Sequence, residues 1–512
     1  LAAIRDVLPE IRIGQWNVDP LFEPDNVRRL RSKFAVVDAS FISTAGAPLD
    51  ALRDGGRNGV SFMPNPVDFS IERGRNDLRD DLPYDLLYAC GHPFRPPRHV
   101  CGGPSFSFLW THLMSGQVQN IVIVGGGTAG WLTACIIAAR HKARIAAGRF
   151  SVTLVESPRI APVGVGEGTW PTLRGTLEKI GVSETDFFRE CDVAFKQGAR
   201  FAKWTTGAGD DYYYHPLMLP QSFMQMNLAP HWLRHGGGMS FCDAVSPQGQ
   251  LCEAGLAPKT IATPEYQAVA NYAYHLDAGK FAPFLTRHGV EKLGVRHVRA
   301  EVNGVEQAAN GDVLGLDTEA GRIAGDLFVD CTGFHALLIG KTMGVPFRDC
   351  GDVLFCDTAL AVQLPFERED APIASQTNAT ALKAGWVWDI ALPTRRGLGY
   401  VYSSRHTDEA AACDELAAYV GPRFKDLSVR KIPIRSGHRE TFWTRNVVAV
   451  GLAAGFLEPL EASSIVLVEL SAKLIAEQTP ANRQVMDIVA RRFNETTHYR
   501  WGRIIDFLKL HY

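Results

Sequence analysis

The sequence predicts an α/β protein built on a parallel sheet of the Rossmann-like type, and three observations indicate this fold. An uninterrupted β-branched run at residues 121–124 is typical of a strand buried on both faces of a parallel sheet. This run leads directly into a glycine-rich turn and an apolar helix predicted over residues 131–140. A second strand, residues 152–155, ends in an acidic residue and completes a βαβ unit.

The turn after the first strand has the glycine spacing of a dinucleotide-binding site. It reads Gly125-Gly126-Gly127-Thr128-Ala129-Gly130. In this spacing the glycines allow a tight turn, close approach of a pyrophosphate and close helix–strand packing, while the helix N-terminus offers free N–H groups. Glu156 lies 26 residues after Gly130, where a carboxylate accepts ribose hydroxyls. A Rossmann-like strand without a ligand is the alternative, and the complete βαβ context argues against it.

The positions of the later glycine turns favour FAD over NAD. A second glycine-rich loop spans residues 163–169, and strands run into glycine turns at residues 326–333 and 446–455. Pieces spread over more than 300 residues suit an extended FAD, whereas a NAD domain would be contiguous. We find no second convincing G-x-G-x-x-G, so we expect a flavoprotein without its own nicotinamide site. Further predicted FAD contacts are Glu156, Ser157, Val163, Val165, Gly168, Val298 and Gly451.

Composition excludes several classes of function. Lys+Arg 53 against Asp+Glu 55 gives a net charge of -2 over 512 residues, without the basic excess typical of nucleic-acid or membrane-surface proteins. No apolar run approaches the ~20 residues that span a bilayer, and the first residues lack the apolar region of a signal peptide. Ten scattered cysteines indicate a reducing compartment. We therefore expect a cytoplasmic protein without nucleic-acid or membrane partners.

Residues 1–117 differ in texture from the rest of the chain, being rich in Arg, Asp and Pro. The order of strand, loop, short helix and strand over residues 36–68 locally resembles the inter-domain region of nucleotide-sugar glycosyltransferases. No donor-sugar site follows, so we predict an unrelated N-terminal segment. Possible metal ligands in it are Cys90, His92, His99 and Cys101. Their spacing matches none of the usual zinc patterns, so no metal is predicted.

Five motifs occur together, in one order, beyond residue 120. They are GGGTAGW at 125–131, AFK at 194–196, WVWDI at 386–390, GYVYSS at 399–404 and FLEPLE at 456–461. With these motifs the chain resembles the flavin-dependent tryptophan halogenases over some 390 residues. One departure is Ala391, which stands where the family has a proline.

The resemblance implies an FAD-binding Rossmann-like domain of the glutathione-reductase/aromatic-hydroxylase type, with an interleaved substrate-binding domain. The expected FAD module covers about residues 118–200, 285–345 and 440–475, and the substrate module about 200–285, 346–440 and 476–512. The family continues beyond the position that matches Tyr512, so we expect a C-terminally shortened substrate module.

The same resemblance implies a reaction and its partners. Reduced FAD from a separate flavin reductase, O2 and chloride or bromide form hypohalous acid, which halogenates an electron-rich arene such as tryptophan or an indole. We also expect a homodimer. A flavin-dependent aromatic hydroxylase is the alternative, and the missing nicotinamide signal argues against it.

The resemblance assigns catalysis to Lys196 and Glu461. Lys196 follows an apolar stretch, and burial of a lysine lowers its pKa. It either hydrogen-bonds hypohalous acid or becomes a haloamine; without the resemblance it would be interpreted as a surface lysine. Glu461 is expected to accept the proton of the arenium intermediate. Its neighbour Glu458 is expected to be structural.

The resemblance also implies substrate and halide contacts. Trp386 and Trp388 would form a wall between substrate and flavin, although spacing alone indicates core packing. His215 would lie near the bound arene. Ser463 and Ser464 are expected to cap the following helix and bind halide there, since a helix N-terminus suits an anion.

Overall fold

The structure is a computed structural model that describes residues 117–160 and 166–512 and three short strands before them. These strands, β1 (Gly14–Asn17), β2 (Ala39–Ile42) and β3 (Val60–Phe62), form a parallel sheet in that order. The chain divides into two units, Leu1–Arg98 and His99–Tyr512. Cys90, His92, His99 and Cys101 lie outside the described residues. The glycosyltransferase-like interpretation of residues 1–117 and the module boundaries stay predictions.

The second unit alternates strands and helices along most of its length. Its strands are β4 (Asn120–Val124), β5 (Ser151–Glu156), β6 (Gly166–Gly168), β7 (Ala194–Lys196), β8 (Gly198–Ala202), β9 (Tyr212–Pro216), β10 (Ala273–Asp277), β11 (Arg296–Arg299), β12 (Val302–Gln307), β13 (Val313–Thr318), β14 (Gly321–Ala324), β15 (Leu327–Asp330), β16 (Phe347–Asp349), β17 (Thr358–Pro365), β18 (Thr377–Leu382), β19 (Gly385–Ala391), β20 (Arg395–Tyr402), β21 (Arg430–Pro433), β22 (Gly437–Arg439), β23 (Trp443–Thr444), β24 (Val447–Ala449) and β25 (Gly455–Phe456). Its α-helices are α1 (Thr128–Arg140), α2 (Lys142–Ala146), α3 (Thr172–Ile180), α4 (Glu184–Glu190), α5 (Ala229–His235), α6 (Phe241–Val245), α7 (Gln248–Glu253), α8 (Ala278–Leu293), α9 (Glu409–Val420), α10 (Ser463–Glu477) and α11 (Arg483–Lys509). Within the part of the chain that the structure describes, no helix combines the length and apolarity needed to cross a membrane.

A six-stranded sheet in the order β11-β5-β4-β15-β24-β23 carries the Rossmann-like part of the fold. All its pairings are parallel except the last, between β24 and the edge strand β23. The three predicted segments that end in glycine turns are therefore adjacent: β4, β15 and β24 lie side by side. Every residue of β15 is buried, as expected for a strand covered on both faces. Helix α1 packs against α8 and α10.

A seven-stranded sheet in the order β21-β17-β20-β19-β18-β8-β9 forms the second layer. Its pairings are antiparallel except for the parallel pair β18 and β8. Because β8 and β9 precede the Rossmann strand β15 and the other five strands follow it, the two sheets are interleaved along the chain. A small sheet, β6-β10-β7, carries Gly168 and Lys196.

Candidate active site

The turn between β4 and α1 is shaped to receive a phosphate group. Gly125 has φ +115°, and a Cβ there would come within 2.2 Å of the Cys331 carbonyl oxygen. A Cβ on Gly130 would come within 1.9 Å of the Gly125 carbonyl oxygen. At Gly127, in contrast, no atom of the described residues lies within 4 Å of the Cβ position, and no described side chain caps α1. The first N–H groups of α1 are thus open to an anion, which fits an FAD pyrophosphate.

Glu156 lies at the edge of this turn. A Cβ on Gly126 would come within 2.2 Å of Glu156 Cδ, so the carboxylate reaches back over the glycines. His297 Nε2 lies 2.8 Å from Glu156 Oε2 and holds it there, while the His297 ring packs edge-on against Trp131. This placement suits contact with an adenosine ribose. Sequence reasoning missed His297, although its position on β11, the neighbour of β5, is a usable signal.

The remaining predicted FAD contacts lie in different places. Gly451 has φ +68°, and a Cβ there would come within 2.6 Å of Ala129 Cβ, so this turn closes against the start of α1. Val298 lies on β11 beside the Glu156 strand. The Ser157 hydroxyl donates a hydrogen bond to the Glu301 carboxylate. Val163 and Val165 lie outside the described residues.

Gly168 lies beside the predicted catalytic lysine rather than at the phosphate turn. A Cβ on Gly168 would lie 3.4 Å from Lys196 Nζ and 3.4 Å from Ala462 Cβ. The hydroxyl of Thr377 would be 3.6 Å from the same point. The absence of a side chain at Gly168 therefore leaves space in front of the lysine.

Lys196 ends strand β7, and its side chain is enclosed, with 2% of the residue exposed. Among the described residues, none accepts a hydrogen bond from Nζ. Burial lowers the pKa of Lys196, and the nearby Glu461 carboxylate opposes this shift. His275, fully buried on the neighbouring strand β10, contacts the Thr377 hydroxyl at 2.8 Å. Burial and the charge of Lys196 lower the pKa of His275, so this ring is neutral.

Glu461 lies in a strained turn that precedes α10. Its φ is +65° and that of Ala462 is +54°, both in the left-handed region that non-glycine residues rarely adopt. Trp170 Nε1 donates a 2.7 Å hydrogen bond to the Glu461 backbone oxygen, and His215 Nδ1 hydrogen-bonds Oε1 of its carboxylate.

The environment of the Glu461 carboxylate keeps it ionised. Burial would raise the pKa of Glu461, but the hydrogen bond to His215 and the charge of Lys196 hold it at about 2. His511 Nε2 lies 3.8 Å from Oε1, which is beyond hydrogen-bond range. His511 was not predicted, because nothing local in the sequence relates it to Glu461.

Trp386 and Trp388 project from the same face of β19 and are both buried, with ring centroids 6.5 Å apart. The Trp388 ring lies over Gly399 on β20, where a Cβ would come within 2.0 Å of it. Strand β6, which carries Gly168, contacts both β19 and the Glu461 turn. The tryptophan strand thus lies beside the lysine site, and its role as a wall stays a prediction.

The expected capping role of Ser463 and Ser464 is wrong. Helix α10 begins at Ser463, its N-cap residue is Ala462, and no described side chain caps it. Because Ala462 is in the left-handed region and has no side-chain acceptor, the first N–H groups of α10 are left open. Ser463 is buried, and its hydroxyl has no hydrogen-bond partner among the described residues. Both features are compatible with the predicted halide contact, which stays a prediction.

The fold and this two-part site define an FAD-binding α/β enzyme with a separate, enclosed reaction site. Comparison with known proteins gives its family: residues 120–512 match the family described as Tryptophan halogenase, and the chain belongs to it. The predicted family, the fold class, the flavin-dependent halogenase activity and the use of reduced FAD, O2 and halide are thereby confirmed. Enzymes of this kind take reduced flavin from a separate reductase and act on small aromatic substrates.

Individual relatives cover most of the chain. Tryptophan 7-halogenase RebH of Lentzea aerocolonigenes is 34% identical over 418 residues, which is 78% of this chain and 77% of the relative. The crystal structure of a tryptophan halogenase from Shewanella frigidimarina is 47% identical with a TM-score of 0.75, covering 78% of each chain. BrvH, a flavin-dependent halogenase from Brevundimonas sp. BAL3, is 35% identical with a TM-score of 0.68. The match covers 77% of this chain and 78% of the BrvH chain.

Proposed function

We propose that this enzyme attaches chlorine or bromine to an electron-rich arene of the indole class, tryptophan included, with Lys196 and Glu461 as its catalytic residues. The observation that carries the proposal is an enclosed lysine that interacts electrostatically with an ionised carboxylate and has the space left by Gly168 in front of it. When bound, reduced FAD together with O2 and a halide supplies hypohalous acid.

Lys196 is proposed to position the oxidised halogen. Its side chain is enclosed, and its nitrogen has no hydrogen-bond partner among the described residues. As an ammonium, Lys196 donates a hydrogen bond to the oxygen of hypohalous acid. This hydrogen bond makes the oxygen a better leaving group when the halogen is transferred. Burial lowers the pKa of Lys196, which favours the neutral amine, although the Glu461 carboxylate opposes the shift. In the amine form an N–halogen bond forms as the O–halogen bond breaks, and the departing hydroxide takes one proton from the nitrogen and leaves as water.

Glu461 is proposed to stabilise the arenium cation and accept its ring proton. A carboxylate with a pKa of about 2 is ionised throughout the neutral range, so it is ready to act before the halogen arrives. An arenium ion is far more acidic than a carboxylic acid, so the low basicity of Glu461 does not prevent the transfer. His215, whose side chain is 36% exposed, connects this carboxylate toward solvent.

The remaining predicted residues are proposed to shape the site. Trp386 and Trp388 separate the arene from the flavin, which disfavours direct hydroxylation. His215 contacts the arene, and the open N-terminus of α10 at Ser463 and Ser464 holds the halide.

We also propose a homodimer and a cytoplasmic location. The eight cysteines among the described residues are all free thiols, which supports a reducing compartment.

The test is an assay with a flavin reductase, FAD, NADH, bromide, and a panel of indoles that includes tryptophan. We expect a product that carries the isotope pattern of bromine and that requires both bromide and O2. A product that gains one oxygen atom instead, with or without bromide, would establish the aromatic hydroxylase. Omitting the separate reductase should abolish turnover.

A further inference from the structure

Two imidazoles converge on the Glu461 carboxylate from separate parts of the fold. His215 comes from β9, and His511 lies two positions after Lys509, the last residue of α11. Nδ1 or Nε2 of each histidine and a carboxylate oxygen of Glu461 all lie within 4.8 Å of one another. We call these three residues the His–Glu–His cluster.

Aromatic packing fixes the orientation of both imidazole rings. The ring centroid of Phe201 lies 4.6 Å from that of His215 and 5.1 Å from that of His511. Phe507 also packs edge-on against His511, at 5.0 Å between centroids. Because the rings are already ordered, a ligand bound between them loses little affinity to side-chain ordering.

His511 has a nitrogen that its surroundings leave unsatisfied. Its side chain is 4% exposed, and Nδ1 lies 3.0 Å from the backbone oxygen of Phe507. A carbonyl oxygen only accepts, so Nδ1 carries a hydrogen and Nε2 is the ring nitrogen available to a further ligand. Nε2 faces Glu461 Oε1 at 3.8 Å and has no hydrogen-bond partner among the described residues. The 3.8 Å between these two atoms is close to the separation of two ligand atoms of one metal ion.

We propose that the His–Glu–His cluster binds a divalent transition-metal ion of the zinc class. Two imidazoles and one carboxylate are the ligand set of open tetrahedral zinc sites, whose fourth position holds water. The hydrogen bond from His511 Nδ1 to a backbone carbonyl is the kind of outer contact that orients metal-bound histidines.

Metal binding requires a small rearrangement of the cluster. Ligand bonds of about 2.1 Å place the donor atoms of a tetrahedral site about 3.4 Å apart. The ion therefore replaces the direct hydrogen bond between His215 and Glu461 and draws His511 closer. An ion held there also occupies the carboxylate that accepts the ring proton, so it inhibits halogenation. This inhibition, unlike the binding itself, rests on the proposed function.

Titration of Co2+ into the metal-stripped full chain tests the site without flavin, halide or turnover. We expect one Co2+ per chain with the visible absorption of a four-coordinate site, displaced by Zn2+. His511→Gln and Glu461→Gln should each weaken Co2+ binding at least about tenfold. His498→Gln is the matched control, because this exposed histidine lies on α11 and packs on Phe442 away from the cluster. It should bind Co2+ as the parent chain does.

Several outcomes would overturn the inference. The first is that no Co2+ binds. The second is that both His511→Gln and Glu461→Gln keep the Co2+ absorption while they unfold thermally as the parent does. The third is a thiolate charge-transfer band, which would assign the ion to cysteines. Because the titration involves no catalysis, its failure leaves the halogenase proposal untouched. An enzyme that fails to halogenate leaves a positive Co2+ result standing.

Discussion

Glu458 and Glu461 lie three positions apart at one turn, yet their surroundings shift their pKa values in opposite directions. Glu458 is fully buried and accepts a 2.8 Å hydrogen bond from the Tyr512 hydroxyl. Burial therefore raises the pKa of Glu458, which the hydrogen bond only partly offsets. Glu461, beside His215 and near Lys196, has its pKa held at about 2.

The comparison separates a structural carboxyl from a catalytic one by environment rather than by burial. Both side chains are enclosed, but burial raises the pKa of Glu458, whereas the hydrogen bond to His215 and the charge of Lys196 lower the pKa of Glu461. Titratable groups whose environments move their pKa values apart commonly divide acid and base roles. We therefore assign proton acceptance to Glu461 and packing to Glu458.

Replacing each glutamate with glutamine tests most directly whether Glu458 and Glu461 have different roles. Glu461→Gln removes the anion that accepts the ring proton, and we expect kcat for halogenation to fall by about 10²–10⁴-fold. Glu458→Gln keeps the size and hydrogen-bonding capacity of a side chain to which we assign no proton transfer, so kcat should change by less than about tenfold. Product formation under saturating reduced FAD measures both.

Folding and flavin use serve as controls for this pair. Both variants should keep the parent's circular dichroism and its rate of reduced-flavin oxidation. Equal losses of kcat in the two variants would contradict the division of roles.

Glu469 extends the comparison to a third buried carboxyl, on α10. Burial raises its pKa to about 7, although hydrogen bonds from Thr172 and Thr176 oppose the shift. Because the folded pKa exceeds the ordinary value of 4.5, the free energy of unfolding falls as pH rises from about 4.5 to 7. Glutamine at position 469 cannot ionise. The free energy of unfolding of Glu469→Gln should therefore exceed that of the parent by as much as about 3 kcal/mol above pH 7, and by little below pH 4.

Urea unfolding of the parent and the Glu469→Gln variant across that pH range is the measurement. A difference in unfolding free energy that is the same at both ends of the range would show that Glu469 does not titrate as its burial implies. Halogenation should be unaffected by this substitution.

His215→Gln removes one of the groups that keep Glu461 ionised. We expect kcat to fall about tenfold, since the carboxylate is also less well oriented. The pKa of Glu461 should rise toward its ordinary value, so the acid limb of the kcat–pH profile should move to higher pH. A kcat–pH profile that coincides with the parent's would show that His215 does not help to keep Glu461 ionised.

Gly168→Ala gives the smallest expected effect. The added methyl group would touch Lys196 Nζ at ordinary contact distance and fill part of the space in front of it. We expect kcat to fall about threefold to tenfold with the unfolding free energy unchanged. Gly175→Ala on α3 is the matched control, because its Cβ position is open; kcat should stay constant there.

The sequence predicted the Rossmann-like part of the fold well, because its signals are local. A β-branched run followed by spaced glycines determines both the strand and the turn, and the structure has β4 and α1 where they were expected. The later segments were assigned to the FAD site from their spacing, and in the sheet β15 does lie beside β4 and β24 beside β15.

The reaction site was only partly predictable, because it depends on contacts between distant segments. His215 and Glu461 are 246 positions apart, and no local pattern relates them or His511. The left-handed backbone at Glu461 and Ala462 has no glycine to announce it, and that conformation is why the expected serine caps were wrong. Lys196 was assigned through the family motif, since its burial depends on β10 and the Glu461 turn.

The most direct test of the central claim is the yield of halogenated product per reduced flavin consumed, measured for the parent and Lys196→Met. Methionine keeps much of the lysine's volume but cannot bind or position the halogen. We predict that Lys196→Met oxidises reduced flavin at the parent's rate and yields no halogenated arene above a control without enzyme. Halogenated product at the parent's yield from Lys196→Met would contradict the account.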